Sequence, residues 1–483
     1  MDEIRVRIAP SPSGYLHVGT ARTAIFNWLF ARRNNGKFLV RIEDTDAARS
    51  DASLIDPILE AMKWLGINWD EEPLYQSARM DIYKKYVDEL LDKGLAYRCF
   101  CTSEELEEMR KEAMAEKKAA MYDRRWRDRP IEDVEAMLSQ NKPYSIRIRV
   151  PEGETTYNDI VLGDITKQNH ELEDFIICRT DGRAVYNMAV VVDDHEMGIS
   201  HVIRGNDHIS NTFKQIHIYQ ALGWEVPRFA HIPLILRPDK KKVSKRLGDK
   251  DVAEYGQEGI LPEAMYNFLC LLGWSSKDDR EFYHIDELIK VFSLENVNKA
   301  NPIFNEEKLE ALNFEHLRLI PNHKIAEMVA PLLVQAGYTS KYWLETRWEY
   351  LLKIIELLKE RCRRLTDYVK QSEYFFHDEF DYDRKGVEKR FKPESADYLE
   401  KLADRFEALS EFNHDSTMNA LNGLAEELGI GKGKLIHPTR LAVSGVTAGP
   451  GLYDILEAIG REQTVKRMRK GAEYIRNMKE GEE

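Results

Sequence analysis

Apolar and polar positions alternate along the first part of the chain as they do in a parallel α/β sheet. Residues 4–8 alternate and are rich in β-branched side chains, which predicts a strand. Helical spacing of apolar residues follows at 20–33, and a second strand is predicted at 37–44. A strand, a loop, a helix and a strand in this order are typical of a parallel α/β sheet.

The sheet pattern is then interrupted and resumes later. After amphipathic segments around 51–66 and 78–94, Thr102 and Glu105 predict a capping box for a charged helix. Short strands are predicted at 145–150, 161–165 and 175–179. Further strands are predicted at 184–192, 200–204 and 230–236, with a helix at 212–223. We therefore expect an insertion, from about residue 96 to 183, between two halves of one sheet.

From about residue 305 the strand signals end and helical periodicity dominates. Helices are predicted at 323–337, 347–361, 395–412, 415–428, 433–443 and 461–478. Gly and Pro residues separate these segments. The pattern predicts a separate, all-helical half.

Composition excludes several classes of protein. The chain has 483 residues, 43% of them hydrophobic, which is enough for two to four domains with their own cores. No apolar run approaches the roughly 18 residues of a membrane span, so no membrane association is expected. The N-terminus lacks the basic and apolar segments of a secretory signal. The cysteines are few and odd in number, which indicates free thiols in a reducing cytoplasm: Cys99, Cys101, Cys178, Cys270 and Cys362.

The net charge of −13 gives only a limited prediction about nucleic acid. An acidic chain does not coat nucleic acid with its whole surface. A local basic face is compatible with the same total. The overall charge therefore decides nothing about RNA.

Two loops carry candidate phosphate chemistry. The segment 12–19 lies between a strand and a helix and contains Gly14, His17 and Gly19. Glycines allow close backbone approach, and a helix N-terminus offers unpaired N–H groups to a phosphate, to which the His17 imidazole can also donate. By itself this loop is more often an ordinary turn.

The second loop is the cationic run 240–246, KKKVSKR. Ammonium groups there would neutralise charge that moves onto a leaving pyrophosphate. A single Lys-rich run is more often a solvated loop. The two loops together are far more specific than either alone.

The two loops resemble the signatures of a known enzyme class. HVGT after PSPSGYL is similar to the HIGH signature of class I aminoacyl-tRNA synthetases, and VSKR is similar to their KMSKS signature. RIEDTD at 41–46, the segment 187–208 and HIPLIL at 231–236 extend the match. The whole chain, its helical end included, resembles the bacterial-type glutamyl-tRNA synthetases.

This resemblance implies a fold and a domain order. The fold would be an α/β, Rossmann-like catalytic domain with a parallel sheet, followed by an all-helical anticodon-binding half. The implied domains are 1–95 (first catalytic half), 96–183 (connective insertion that binds the acceptor end), 184–238 (second catalytic half), 239–318 (KMSKS-type loop and stem-contact region) and 319–483 (anticodon-binding region).

The resemblance also implies an amino-acid pocket. Its charged and aromatic members would be Arg7, Glu43, Tyr186 and Arg204, with Ala9 and Ser11 beside them. The chemistry suits a dicarboxylic amino acid, because arginine pairs with a carboxylate in a planar, bidentate way and Glu43 supplies an anion for the α-ammonium. The alternative for Arg7 and Arg204 is structural pairing with nearby aspartates.

Two departures from the family pattern concern the pocket and a metal. The family often has an asparagine where this chain has Val190, so Asn187 is a candidate replacement. Some members carry a zinc knuckle that begins with a CxC pair, as at Cys99 and Cys101. Trp126 and Asp128 occupy the positions of the later ligands. Zinc prefers four N or S ligands, so we expect no structural zinc and no other metal held by the chain.

For ATP and its Mg²⁺, the resemblance implies a second set of residues. Ser11 and His17 would lie near the phosphates, Asp207 and His208 would line the nucleotide pocket, and Lys245 would grip the β- and γ-phosphates. Main-chain groups near Leu236 would contact the adenine. Capping of the helix near residue 210 is the alternative role for Asp207.

The helical half contains a candidate RNA contact. Six basic residues occur between Lys353 and Lys370, against three acidic ones. Such a stripe can bind phosphates on an acidic protein, although a solvated helix face is the commoner case. The resemblance implies an arginine that contacts the third anticodon base, and Arg361 is the best match, with Arg364 beside it.

The implied reaction is ATP-dependent activation of L-glutamate followed by its transfer to the terminal adenosine of tRNA(Glu). Two other enzymes remain as alternatives: a non-discriminating enzyme that also charges tRNA(Gln), and a glutaminyl-tRNA synthetase, which is disfavoured because its anticodon-binding part is a β-barrel. A catalytically silent RNA-binding paralogue is disfavoured by intact His17 and Lys245. We expect a cytoplasmic monomer.

Overall fold

The structure is a computed structural model that describes residues 3–45, 50–115, 121–243 and 250–480. The chain divides into two compact units. The first contains Met1–Tyr255 and Pro262–Lys308, and the second contains Gly256–Leu261 and Leu309–Glu483. No helix within the described residues is both long and apolar enough to cross a membrane.

The strands of the first unit form three small sheets. They are β1 (Arg5–Ile8), β2 (Lys37–Ile42), β3 (Leu74–Tyr75), β4 (Ala96–Cys99), β5 (Ser145–Ile148), β6 (Glu154–Asp159), β7 (Gly163–Gln168), β8 (Ile176–Cys178), β9 (His201–Gly205) and β10 (Arg228–Ile232). One sheet has the order β1-β2-β3, another β7-β6-β10-β9 and the third β4-β5-β8. The first is parallel throughout and the third antiparallel.

Parallel pairing joins β1 to β2 and β9 to β10 as the sequence predicted, but the two pairs belong to separate sheets and not to two halves of one sheet. Val6 of β1 pairs with Phe38 of β2, and Ile203 of β9 pairs with Ala230 of β10. The Ser200 N–H, just before β9, donates to the Arg5 carbonyl of β1 at 2.9 Å. The carboxyl ends of these strands therefore lie close to one another, which is where α/β sheets bind ligands.

The helices between residues 18 and 291 cover these sheets or connect them. They are α1 (Val18–Arg33), α2 (Ile55–Trp64), α3 (Met80–Asp92), α4 (Ser103–Ala115), α5 (Ile131–Ser139), α6 (Tyr186–Glu196), α7 (Ile209–Leu222), α8 (Val252–Gln257), α9 (Pro262–Leu271) and α10 (Ile285–Val291). The predicted capping box before α4 is confirmed, because Thr102 and Glu105 exchange hydrogen bonds of 2.8 and 3.2 Å. Residues of α3, α6 and α7 pack with β5 and β8 in one buried core.

The described residues after 305 form no strand, as predicted, and the second unit is helical. Its helices, together with the one that leads into it, are α11 (Glu306–Leu319), α12 (Asn322–Gln335), α13 (Lys341–Thr346), α14 (Trp348–Leu358), α15 (Leu365–Phe376), α16 (Arg384–Arg390), α17 (Ser395–Glu407), α18 (His414–Glu427), α19 (Gly433–Ser444), α20 (Leu452–Ile459) and α21 (Arg461–Glu480). One continuous apolar core joins the helices from α12 to α21.

Several predicted elements were wrong in type or extent. Residues 184–192 were predicted as a strand, but they contribute to α6, which is buried over nearly its whole run of apolar residues. A short apolar run has the same periodicity in a buried helix and in a buried strand. The strand predicted at 230–236 ends at Ile232, because Pro233 has no N–H for a further ladder bond.

The insertion also differs from its prediction. Residues 161–165 were predicted as one strand, but they contain the end of the β6–β7 turn, which lies at 160–162, and the start of β7. β6 further pairs in parallel with β10, where Asp159 faces Phe229. Part of the predicted insertion thus belongs to the same sheet as β9 and β10.

Candidate active site

The residues of the predicted amino-acid pocket lie at or near the carboxyl ends of the parallel strands. Arg7 lies in β1, Glu43 directly follows β2, Arg204 lies near the end of β9 and Tyr186 begins α6. Charge interactions link the Tyr186 hydroxyl with Glu43, Arg204 and Arg7. The structure therefore brings together the four side chains that the sequence singled out.

An ion-pair cluster beneath the pocket was not foreseen in its details. Arg7 donates from Nε and Nη2 to both oxygens of Asp194 on α6, at 2.9 and 3.1 Å. Arg41 of β2, which is fully buried, donates to the same carboxylate at 2.5 Å. Burial would raise the pKa of Asp194, but Arg41 and Arg7 hold it at about 2. Asp194 thus occupies one edge of the Arg7 guanidinium. This is the structural ion pair that was considered as the alternative role of Arg7.

Glu43 is the acidic group nearest the open side of this cluster. Its carboxylate accepts from Arg41 at 3.3 Å, and its side chain is 12% exposed. Burial raises the pKa of Glu43, against the opposing positive charges of Arg41 and Arg7. A carboxylate held this way would be stabilised further by an incoming ammonium group.

Arg204 differs from Arg7 because it has no carboxylate within ion-pair distance among the described residues. It is 6% exposed. Its Nε donates to His231 Nε2 at 3.3 Å and its Nη2 donates to Thr212 Oγ1 at 2.7 Å. Within the described part of the chain, Nη1 is buried without a hydrogen-bond partner. A buried cation of this kind needs an anion.

Tyr186 and its neighbours form another wall. The Tyr186 hydroxyl lies 3.2 Å from His208 Nδ1. Burial raises the pKa of Tyr186 to about 12, so the phenol stays protonated. Val190, one helical turn on, is buried. Asn187, the predicted replacement for the missing amide, accepts from Gln215 Nε2 at 3.1 Å.

The predicted phosphate loop has the expected geometry at α1. His17 is the N-cap of α1, and its Nδ1 accepts from the Gly19 N–H at 3.0 Å. This contact places the ring proton of neutral His17 on Nε2, where it is a donor. Ala9 is half-buried directly after β1, and Ser11 is exposed. Lys245 lies outside the described residues.

The residues predicted to line the nucleotide pocket differ in the protein partners that they already have. Asp207 accepts from Lys242 Nζ at 2.6 Å. Partial burial would raise the pKa of Asp207, but this bond and the positive charges around it together lower it. The residue that caps α7 is His208, so the alternative role of Asp207 as a cap is wrong. Both main-chain groups of Leu236 already form hydrogen bonds: its N–H donates to the Pro302 carbonyl and its carbonyl accepts from the Phe304 N–H, both at 2.8 Å.

Arg22 was missed by the sequence reasoning, although it lies on the helix that follows the phosphate loop. It is 2% exposed and donates to the carbonyls of Leu272, at 3.0 Å, and Pro233. Burial lowers the pKa of Arg22 to about 9. These bonds fix α1 to the end of β10 and to the segment after α9. Its spacing is the signal that could have shown it, because Arg22 lies three and four residues before Ile25 and Phe26 on the buried face of α1.

The CxC pair lies in a small apolar cluster. Cys99 contacts the Tyr122 hydroxyl at 3.5 Å, and Cys101 and Trp126 pack beside it. A hydrogen bond from Cys101 lowers the pKa of Cys99. Asp128 instead pairs with Arg149 at 2.8 Å. No group of three His, Cys, Asp or Glu side chains suited to a metal occurs among the described residues.

The basic stripe of the second unit is interrupted. Helix α14 ends at Leu358, so Arg361, Arg363 and Arg364 lie in the turn before α15 and not on one helix. Arg364 donates to Glu310 at 2.6 and 2.9 Å and also to Glu258. Lys353 pairs with Glu457 at 2.8 Å, and Lys359 donates to the Ile320 carbonyl at 2.6 Å. Arg361, Arg363 and Lys370 are exposed.

Arg361 has a second arginine close by that the sequence did not indicate. Arg440 of α19 is half-buried and donates to the Pro450 carbonyl at 2.7 Å. Burial lowers the pKa of Arg440, and the positive charge of Arg361 lowers it further. Two positive charges that act on each other attract an anion or the acceptor edge of a base.

Comparison with known proteins gives the same picture for both units. The family model "tRNA synthetases class I (E and Q), catalytic domain" matches residues 3–311, and the model "Anticodon binding domain" matches residues 324–472. The glutamate–tRNA ligase of Thermodesulfovibrio yellowstonii is 48% identical over 97% of this chain and 99% of its own length. Glutamate–tRNA ligase 2 of Thermoanaerobacter pseudethanolicus is 45% identical over 99% of this chain and all of its own.

Solved structures agree with the sequence comparison. A glutamate tRNA ligase from Elizabethkingia meningosepticum, crystallised in complex with its amino acid, has a TM-score of 0.89 at 36% identity. It covers 98% of this chain and 100% of its own. A glutamate–tRNA synthetase from Elizabethkingia anophelis has a TM-score of 0.86 with the same coverage.

Proposed function

Because this chain belongs to the class I glutamyl- and glutaminyl-tRNA synthetase family, and within it to the glutamate–tRNA ligases, we propose that it attaches L-glutamate to tRNA(Glu). The reaction has two steps. The glutamate α-carboxylate attacks the α-phosphorus of ATP, which forms glutamyl-adenylate and releases pyrophosphate. A ribose hydroxyl of the terminal tRNA adenosine, the 2′-OH in class I enzymes, then attacks the acyl carbon, which forms the glutamyl ester, breaks the acyl–phosphate bond and releases AMP.

The observation that carries this proposal is Nη1 of Arg204, which is buried and has no hydrogen-bond partner within the described part of the chain. A cation that lacks a protein anion stabilises a substrate carboxylate, and the fork of N–H groups suits its two oxygens. Glu43 would bind the α-ammonium, while Tyr186, Ala9 and Ser11 line the same pocket. Arg7 would contribute through Nη1, since Asp194 holds its Nε and Nη2.

The enzyme's part in adenylation is positioning and charge stabilisation. His17 would donate to the ATP phosphates from Nε2, Lys245 would neutralise the β- and γ-phosphates, and Asp207 and His208 would line the nucleotide pocket. The adenine would be bound by main-chain groups near Leu236, where a carbonyl that already accepts one protein N–H keeps a second lone pair for another donor. Mg²⁺ fits this scheme as an ion carried by the ATP phosphates, which supply its hard oxygen ligands.

The second unit would bind the anticodon. We propose Arg361 as the residue that contacts the third anticodon base, supported by its exposure and by its proximity to Arg440. Arg364 would hold the turn through Glu258 and Glu310 and not bind RNA directly. The domain roles within the first unit, with residues 96–183 at the acceptor end and 239–318 at the stem, follow the family order. We further propose a cytoplasmic monomer without structural zinc.

The direct test is charging of purified tRNA. The protein, ATP, Mg²⁺ and radiolabelled glutamate should yield glutamyl-tRNA(Glu), whereas labelled glutamine should not be attached. Arg204→Met should lower kcat/KM for glutamate by about 100-fold, the scale on which a site rejects a substrate when a buried charged contact is lost. Unchanged kinetics in Arg204→Met would contradict the assignment of the pocket.

A further inference from the structure

Behind Arg204 lies a set of buried side chains that no step above uses. Asp159 ends β6, His231 lies in β10 and Thr212 lies in α7. Their exposures are 1%, 0% and 0%. All three belong to the first unit, and Asp159 comes from the segment that the sequence assigned to the acceptor-binding insertion.

Asp159 is held as an anion. Its Oδ1 accepts from the backbone N–H groups of Val161 and Leu162, at 3.0 and 2.9 Å. Its Oδ2 accepts from the His231 backbone N–H at 3.0 Å. Burial would raise the pKa of Asp159, but these bonds and the His231 ring lower it. Asp159 is therefore a fixed acceptor.

This fixed acceptor determines the tautomer of His231. His231 Nδ1 lies 2.6 Å from Asp159 Oδ2, so Nδ1 carries the proton and donates it to the carboxylate. Burial lowers the pKa of His231 and keeps the ring neutral. Its Nε2 consequently presents a lone pair.

The lone pair of His231 Nε2 faces Arg204. Nε2 accepts from Arg204 Nε at 3.3 Å and from the Thr212 hydroxyl at 2.9 Å. Thr212 Oγ1 in turn accepts from Arg204 Nη2 at 2.7 Å. The three side chains thus close a ring of hydrogen bonds along the Nε–Nη2 edge of the guanidinium.

This ring leaves a defined part of Arg204 for substrate. A guanidinium has five N–H donors, and His231 and Thr212 take two of them. Of the remaining three donors, one on Nη1 and one on Nη2 form the adjacent edge, and the other Nη1 N–H points toward the Cδ side. We infer that the Asp159–His231 pair is a positioning device that turns this edge of Arg204 toward the substrate carboxylate, and so contributes to the selection of glutamate over glutamine. The inference rests on the proposed function, because it takes Arg204 as the carboxylate-binding residue.

Selectivity follows from the donor-only character of that edge. A carboxylate offers two acceptors to it, whereas the amide of glutamine offers one acceptor and an NH₂ group that would meet N–H donors. If the guanidinium could rotate, it could contact the amide oxygen alone. His231 prevents this rotation by accepting from Nε.

The test compares variants in steady-state aminoacylation with glutamate, ATP and tRNA each varied in turn. His231→Phe removes the acceptor. Asp159→Asn places an amide NH₂ at Nδ1, which moves the ring proton to Nε2 against Arg204. Both should lower kcat/KM for glutamate by about 10- to 100-fold, the value of a hydrogen bond to a charged group, leave KM for ATP within about twofold, and reduce the preference for glutamate over glutamine.

The matched control is His217→Phe. His217 is a buried histidine on α7 whose Nε2 lies 3.3 Å from Thr155 Oγ1 and does not contact Arg204. It should behave as wild type toward glutamate. A parallel rise of KM for ATP in His231→Phe, or an equal loss in His217→Phe, would overturn the positioning role.

Arg204→Met separates this inference from the proposed function. If Arg204→Met leaves kcat/KM for glutamate unchanged, the proposed pocket is wrong. If Arg204→Met is strongly impaired while His231→Phe and Asp159→Asn match wild type, the pocket stands and the positioning device is overturned. A measurement on the unmodified protein covers variants that fail to fold: ¹⁵N NMR of labelled histidines should show His231 protonated at Nδ1, and protonation at Nε2 would overturn the inference.

Discussion

Arg7 and Arg204 show how two buried arginines of one pocket acquire different roles. Arg7 shares the carboxylate of Asp194 with Arg41, so its charge is compensated before any substrate arrives. Among the described residues, the hydrogen-bond partners of Arg204 are His231 and Thr212, and neither is an anion. The residue type alone therefore does not tell a structural arginine from a substrate-binding one. The difference lies in which partners the fold supplies.

Asp194 should be more important for stability than its position outside the predicted site suggests. Asp194→Asn leaves Arg7 and Arg41 as poorly compensated buried cations, which costs about 3–5 kcal/mol in the free energy of unfolding. Urea denaturation of the variant measures this loss. Asp128→Asn is the control, because Asp128 is exposed and should show no measurable change. Equal stability of Asp194→Asn and wild type would contradict the described cluster.

His17 and Lys245 should act on ATP and not on glutamate. His17→Ala and Lys245→Ala are each expected to slow adenylation by about two to three orders of magnitude, the scale of one transition-state charge stabiliser. Pyrophosphate exchange in the presence of tRNA measures this step, and KM for glutamate should change much less. Lys93→Ala, a surface lysine paired with Glu89, serves as the control. Near-normal pyrophosphate exchange in both variants would contradict the assignment of His17 and Lys245 to the ATP phosphates.

At the scale of elements, the sequence failed where a buried helix and a buried strand share one pattern, or where a turn divides a pattern. β1, α1 and β2 were predicted within two residues, because β1 alternates arginine with apolar residues, α1 has helical spacing and β2 is an apolar run too short for a helix. Helix α6 was predicted as a strand because its central residues are buried on all sides. The partners of Arg7 and Arg204 could not be predicted, since Asp194 and His231 are distant in sequence and adjacent only in the fold.

The turn between α14 and α15 is the second such case. Six basic residues suggested one continuous stripe, yet the helix ends at Leu358 and Arg364 turns back to Glu258 and Glu310. Charge counting cannot distinguish an exposed cation from one held by an ion pair. Arg361 and Arg364 therefore give different predictions, although they are three residues apart.

Arg361→Gln should alter the choice of tRNA. Glutamate and glutamine anticodons differ at the third base, C against G, and a guanidinium donates to O2 or N3 of cytosine but meets donors on guanine. We expect the preference for tRNA(Glu) over tRNA(Gln) to narrow by about tenfold or more, measured as the ratio of kcat/KM values. Arg363→Ala should weaken the binding of tRNA(Glu) and of tRNA(Gln) about equally. A parallel loss for both tRNAs in Arg361→Gln would contradict the discriminating role.

Arg364→Ala should act through stability. Removal of the guanidinium leaves the carboxylates of Glu258 and Glu310 without their partner, at a cost of about 1–3 kcal/mol in unfolding free energy. Thermal denaturation compared with Arg363→Ala checks this, since Arg363 is exposed. Unchanged stability together with a specific loss of tRNA affinity would instead assign Arg364 to RNA binding.

At the scale of the whole molecule, buried neutral histidines should make stability fall with acidity. Burial lowers the pKa of both His201 and His208 to about 4 from an ordinary 6.5. The unfolded chain therefore binds more protons between these values, so the contribution is complete above pH 6.5 and is lost as the pH falls toward 4. Each group contributes up to about 3 kcal/mol, at about 1.4 kcal/mol per pKa unit.

Denaturant titrations from pH 7.5 to 4 measure this dependence. The free energy of unfolding should fall steadily below pH 6.5, and His201→Gln should show a smaller fall than wild type. His170→Gln, which alters an exposed histidine, is the control and should follow wild type. An identical fall in His201→Gln and wild type would exclude His201 as a source of acid sensitivity.

The most direct test of the central claim is the charging specificity of the unmodified protein. Purified protein is incubated with ATP, Mg²⁺ and either labelled glutamate or labelled glutamine, on transcripts of tRNA(Glu) and tRNA(Gln). A glutamate–tRNA ligase with the pocket described here attaches glutamate to tRNA(Glu), with tRNA(Gln) charged more slowly, and attaches no glutamine to either. Attachment of glutamine to either tRNA, or a failure to charge tRNA(Glu) with glutamate in the presence of ATP, would contradict the proposed activity.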